Sequence, residues 1–206
     1  VLNAKKQCDS RQQMSFLREA RLSGRIQHAN IVPIYELGRL TDHRIFYVMP
    51  EIIGRSLSEV LATKSWPLRR LIGMLLQVVE AVHFTHGQLG THLDLKPANI
   101  MIAENGSVYL VDWGLAKRVN ENGTLIDETN VIQGTPYYMA PEQAVGKFSN
   151  IGIKSDIYSL GSILYEIISG KAPYSGDTAK ETIEQLLKHP PTPIREAINS
   201  NLEADT

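Results

Sequence analysis

From Pro67 to Gly87 the residues Leu68, Leu71, Ile72, Leu75, Val78, Val79 and Val82 recur at three- and four-residue steps. That spacing lays an apolar stripe along a helix, and the stripe must be buried against another layer. Pro67 suits the first turn and Gly87 the stop. A second stripe runs from about Asp156 to Ser169, with Ile157, Leu160, Ile163, Leu164, Ile167 and Ile168 expected on its buried side and Gly170 as stop. A shorter amphipathic helix is expected over Ala179–Leu187. Between the two long helices the period changes. "NIMI" and "SVYLV" flank "AENG", where Asn105-Gly106 signals a hairpin.

The first quarter of the chain reads differently. Met14, Leu17, Leu22 and Ile26 predict a helix from Ser10 to about Ile26, and "NIVPIYELGRL" and "RIFYVMPEI", joined by "TDH", predict two strands. A small lobe of helix and strands followed by a mostly helical lobe is an α+β arrangement, and 206 residues are enough for two such lobes sharing a cleft. "KRVNENGTLIDETNVIQG" is expected to be a long functional loop.

Composition excludes several classes. With 43% hydrophobic and 21% charged residues the chain has enough apolar surface to fold. Lys plus Arg is 21 against 22 for Asp plus Glu, so no field draws it to nucleic acid or an anionic membrane. No apolar run in the sequence is long enough to span a bilayer. The single cysteine, Cys8, rules out an internal disulfide, suits a reducing and therefore cytoplasmic setting, and is itself read as a bystander. The chain opens "VLNAKKQCDS", without methionine or a secretory signal, and ends in a polar, proline-rich stretch. Both ends are expected to be cuts in something longer.

The chemistry concentrates in "THLDLKPANIM", residues 91–101. Asp94, Lys96 and Asn99 stand there among Leu93, Leu95, Ile100 and Met101. Charges in such company are costly unless paired or reactive. The following hairpin carries the chain out from Asn99 and back to "VDWG" at 111–114, which should bring Asn99 and Asp112 to one end. Two oxygen donors there suit a hard cation such as Mg²⁺ that also holds phosphate oxygens. A nearby lysine can neutralise a phosphoryl group in flight, and an aspartate can receive a hydroxyl proton.

At these residues the sequence resembles the protein kinases. "HLDLKPAN" resembles their catalytic loop, "DWG" their metal-binding Asp-Phe-Gly with Trp113 for Phe, and "GTPYYMAPE" (134–142) the end of their activation segment. "SDIYSLG" resembles the start of their large buried helix, and "FLREARL" and "HANIV" fit the first lobe. The motifs stand in the family's order across nearly the whole chain. The stretches "REARLSGRIQHANIVPIYELG" and "DLKPANIMI" look like bacterial serine/threonine kinases of the eukaryotic type. The resemblance implies a bilobal kinase fold, with residues 1–53 the remainder of the small lobe and hinge and 54–206 a helical lobe lacking its last helices. It also implies phosphoryl transfer from ATP to a serine or threonine of a protein, with Mg²⁺ as cofactor and Mn²⁺ able to replace it.

Roles come from the same resemblance. Asp94 takes or orients the substrate proton, Lys96 contacts the γ-phosphate, and Thr135 bonds near both. Asn99 and Asp112 hold the metal. Glu19 is the glutamate that pairs with the ATP-binding lysine. Pro50 and Ile52 meet adenine through their backbones in the hinge "YVMPEII", with Met49 as gatekeeper and Met101 as floor. Asp156 is expected to bind catalytic-loop amides. The Lys96-Pro97 pair is the serine/threonine form. Glu142 normally pairs with a later arginine, which has no counterpart here.

Three departures stand against this. There is no Gly-x-Gly and no "V-A-x-K" lysine, and Lys5 and Lys6 lie too close to Glu19 to replace it; "VL" at the start resembles the residues just after that lysine. Leu93 replaces the arginine that usually binds an activation-loop phosphate, which weakens the case for control at Thr124 or Thr129. Ser23 stands where an apolar residue usually packs towards His92 and Trp113. A non-catalytic interaction module on the same fold, a pseudokinase, is therefore the alternative. Zinc at His83, His86 and His92 lacks a fourth ligand, and serine hydrolysis lacks a Gly-x-Ser-x-Gly elbow.

Overall fold

The computed structural model describes residues 16–17, 20, 24, 26–88, 90–126, 134–146 and 148–198. Strands β1 (Glu36–Arg39) and β2 (Ile45–Val48) pair antiparallel, with Leu37 opposite Tyr47. Their turn is longer than "TDH": Leu40 N donates to Arg44 O, and the Asp42 carboxylate accepts from the Arg44 backbone and guanidinium. Of the helix expected over 10–26, Phe16, Leu17 and Ala20 are helical and Ile26 is buried outside any helix. Glu19 and Ser23 lie outside the described residues.

After β2 come β3 (Gly54–Ser56), α1 (Leu57–Ala62) and α2 (Leu68–Gln88). The expected hairpin is formed by β4 (Ile100–Ala103) and β5 (Val108–Leu110), with Met101 opposite Tyr109. Strand β3 adds to it in the order β3-β4-β5, with Arg55 opposite Ile102. Gly-Arg-Ser has no strand propensity of its own, so only the pairing partner makes it a strand. Gly54 is needed because a Cβ there would run into the Ile102 carbonyl. Ser56 and Glu59 form a reciprocal capping box that starts the six-residue α1. Gly87 does not stop α2, which runs on to Gln88.

The last helices are α3 (Pro141–Val145), α4 (Ile153–Ser169) and α5 (Ala179–Lys188). Leu71, Leu75, Val78 and Val82 of α2 join Ile163 and Ile167 of α4 and the apolar faces of β4 and β5 in one core. The buried face of α4 differs from expectation. Ile157 is 59% and Leu164 37% exposed, whereas Ser155, Asp156, Ser159 and Ser162 are buried. The inward face thus mixes Ile163 and Ile167 with polar groups, which are tolerated because their hydroxyls are satisfied there. Ser159 donates to the Tyr138 and Ser155 carbonyls and Ser162 to that of Tyr158. A satellite cluster of Met139, Ala144, Tyr174 and Leu186 ties α5 to α3. Among the described residues no helix is long and apolar enough to cross a membrane.

Candidate active site

Asp156 organises the segment before Asp94. Its carboxylate is completely buried and accepts from Thr91 Oγ1 (2.7 Å), His86 Nε2 (2.7 Å), His92 N (2.8 Å) and Leu93 N (2.8 Å). Burial pushes this carboxyl up, but the His86 hydrogen bond and the two amides outweigh that and hold it below its ordinary value. The amide bonds expected of Asp156 are therefore present. His86 and Thr91 are partners the sequence did not reveal, because neither position stands out by period or motif.

His92 is fully buried, and burial pushes its pKa down. Its hydrogen bonds fit the neutral ring: Nδ1 accepts from Asp94 N (3.3 Å) and Nε2 donates to Val111 O (3.3 Å). The Trp113 ring lies 4.7 Å away, so His92 links the loop to "VDWG". His86 and His92 are thus engaged with Asp156 and Val111, and no cluster of three or more His, Cys, Asp or Glu placed to hold a metal occurs among the described residues.

Leu93 adopts φ 66°, a left-handed conformation that costs a leucine about 1–2 kcal/mol. It is held there from both ends: its N–H by Asp156 Oδ1 and its carbonyl by Gln143 Nε2 at 3.0 Å. Gln143 also accepts from Ala140 N, so the first turn of α3 clamps the segment around Leu93. This glutamine too went unread, since nothing in "APEQ" points back fifty residues.

The turn after Leu93 brings three polar groups into a closed triangle. Lys96 Nζ donates to Asp94 Oδ2 (2.6 Å) and to Thr135 Oγ1 (2.9 Å), and Thr135 Oγ1 donates to Asp94 Oδ1 (2.8 Å). Asn99 donates through Nδ2 to the Asp94 carbonyl (2.9 Å) and, more weakly, to its carboxylate (3.4 Å). That orientation leaves Asn99 Oδ1 as an acceptor. The Val111 amide donates to the Asn99 carbonyl (2.9 Å), which fixes Asn99 and Asp112 at one end of the β4–β5 hairpin as expected. Asp112 sits at φ 65° and accepts from Gly114 N. An asparagine oxygen and a carboxylate at that end are hard donors that fit Mg²⁺ with phosphate oxygens completing the shell.

Beside this end opens a cavity of about 320 Å³, lined by Val32, Met49, Pro50, Ile52, Met101, Asp112 and Trp113 among others. It is mostly apolar and reaches Asp112, so it joins an apolar lining to a carboxylate. Met49 lines it but is half exposed, more open than a residue closing the back of a pocket. Glu142, left without an arginine, accepts from Ser155 Oγ at 2.7 Å.

The family model for the protein kinase domain matches residues 2–204. The chain belongs to the protein kinase family. It is 35% identical over 182 residues to the probable serine/threonine-protein kinase PknB of Corynebacterium glutamicum, covering 86% of this chain and 28% of that protein. It is 34% identical over 196 residues to serine/threonine-protein kinase pkn3 of Myxococcus xanthus, covering 91% and 35%. To PknB of Mycobacterium tuberculosis it is 31% identical over 199 residues, covering 93% and 31%. The kinase chain thus spans about a third of the length of these curated relatives. The bilobal α+β expectation agrees with the family and with the strand-rich and helical parts of the structure.

Proposed function

We propose that the protein carrying this chain is a serine/threonine protein kinase, acting in the cytoplasm, that transfers the γ-phosphate of ATP to a protein hydroxyl with Mg²⁺. Residues 1–53 serve as small-lobe remainder and hinge and 54–206 as the helical lobe. The observation that carries the reading is the Asp94–Lys96–Thr135 triangle set beside the Asn99–Asp112 end of the hairpin. The substrate oxygen bonds to the γ-phosphorus as the bond to the β-phosphate oxygen breaks, ADP leaves, and the hydroxyl proton passes to Asp94. Thr135 holds the Asp94 carboxylate in place, and Lys96 shields phosphate charge. Bound Mg²⁺, held by Asn99 and Asp112, would neutralise the phosphates. Pro50 and Ile52 meet adenine, with Met49 and Met101 as walls, and Glu19 pairs with the ATP-binding lysine.

The alternative, a non-catalytic module, is favoured by Leu93, whose buried apolar side chain stands where the family carries a phosphate-binding arginine. One experiment separates the two. Labelled γ-phosphate transfer from Mg-ATP is followed in the full-length protein that contains this sequence, onto itself and a basic protein, beside Asp94→Asn. Transfer to serine or threonine that falls by about 10²-fold or more in the variant supports the kinase. A folded, nucleotide-binding protein without transfer leaves the scaffold reading.

A further inference from the structure

Adjoining the cavity beside Asp112 is a second concavity of about 600 Å³, with Val32 and Pro50–Ile52 as a common wall. Pro33, Tyr35, Ile53 and Tyr109 give it an open apolar lining beside the polar His28 and Asn105, with Tyr35 69% and Ile53 65% exposed. Large apolar side chains so far exposed, gathered in one groove, mark a binding surface rather than ordinary scatter. The charged side chains in its lining are the exposed carboxylates Glu51 and Glu104, and no lysine or arginine lines it.

We propose that this groove binds a short extended segment of a partner protein that carries a lysine or arginine beside a bulky apolar residue. The apolar lining takes the bulky side chain, and the two carboxylates take the cation. Its walls come from two places, the segment before β1 and the β3-β4-β5 sheet, where Glu104 N donates to Ile53 O. An extended peptide can set one apolar and one cationic side chain against both walls at once. A second copy of the chain is disfavoured, because a two-fold contact sets the same carboxylates against each other.

Fluorescein-labelled decapeptides built from Arg/Leu, Arg/Ser, Glu/Leu and Ser/Leu are titrated against the 206-residue chain by anisotropy. The Arg/Leu peptides bind at least tenfold tighter than the other three sets. Glu104→Arg shifts the preference to Glu/Leu, and Tyr35→Ala weakens Arg/Leu binding about tenfold; both sites are exposed, so circular dichroism and melting stay as in the parent. Equal binding of all sets, or an Arg/Leu preference unchanged by Glu104→Arg, overturns the proposal. Self-association of the parent chain that Tyr35→Ala abolishes also overturns it, since the groove would then be filled by a second copy.

Discussion

Asp156 illustrates how one side chain organises a loop. Its folded pKa lies below its ordinary value of 3.8, so its contribution to stability is present above that pH and is lost as pH falls through the folded value. In Asp156→Asn the chain loses about 3 kcal/mol at pH 7, in the range for breaking a buried charged network. Its stability also becomes flatter with pH than the parent's in the acid range below about pH 5, read by urea titration at each pH. Gln143→Ala frees the Leu93 carbonyl, costs about 1–3 kcal/mol as an unsatisfied buried group, and lets Leu93 leave its left-handed conformation. At this scale the candidate site was half legible. Asp94, Lys96, Asn99 and Asp112 stood out as residue types at a spacing and Thr135 through the kinase resemblance, and the structure brings the first three and Thr135 into direct contact. Thr91, His86 and Gln143 were invisible because their roles are made by distance in space.

Among the elements, α5 matched its expected span to within a residue, and α2 matched most of its stripe, with Leu71, Leu75, Val78 and Val82 buried but Leu68 and Val79 exposed. Helix α4 matched in part: Ile163 and Ile167 are buried as expected, but Ile157 and Leu164 are exposed, and buried serines with satisfied hydroxyls take up the rest of the inward face, which hydrophobic periodicity does not register. Strand β3 and helix α1 went unread for another reason: each is short, and each depends on a neighbour or a cap. Ser56→Ala removes the cap and lowers stability by about 1 kcal/mol, measured by urea unfolding. Gly54→Ala puts a Cβ against the Ile102 carbonyl and displaces β3, seen as faster amide exchange at Glu104, whose N–H bonds to Ile53 O.

Across the whole molecule, the described residues before the hinge are tied to the helical lobe at Asn30. Its side-chain amide donates to Gln77 Oε1 of α2 and to Val108 O of β5, and its carbonyl accepts from Leu110 N. Asn30→Ala removes the side-chain bonds between the two parts. Stability falls by about 1–2 kcal/mol, and amide exchange quickens over residues 31–48 while α2 stays protected. If exchange rises equally in both parts, Asn30 is not the tie.

The order of helices and hairpins, the α+β class and the set of polar residues that the kinase family shares are properties of the sequence alone. They rest on the period of side chains along a regular backbone and on residue types at short spacing, both of which are local. Which face of α4 is buried, why Leu93 tolerates φ 66°, and which donors satisfy Asp156 were decided by the tertiary structure. These depend on hydrogen bonds between groups some fifty to seventy residues apart. A buried polar atom must find its partner in space, and no local pattern says which residue that will be.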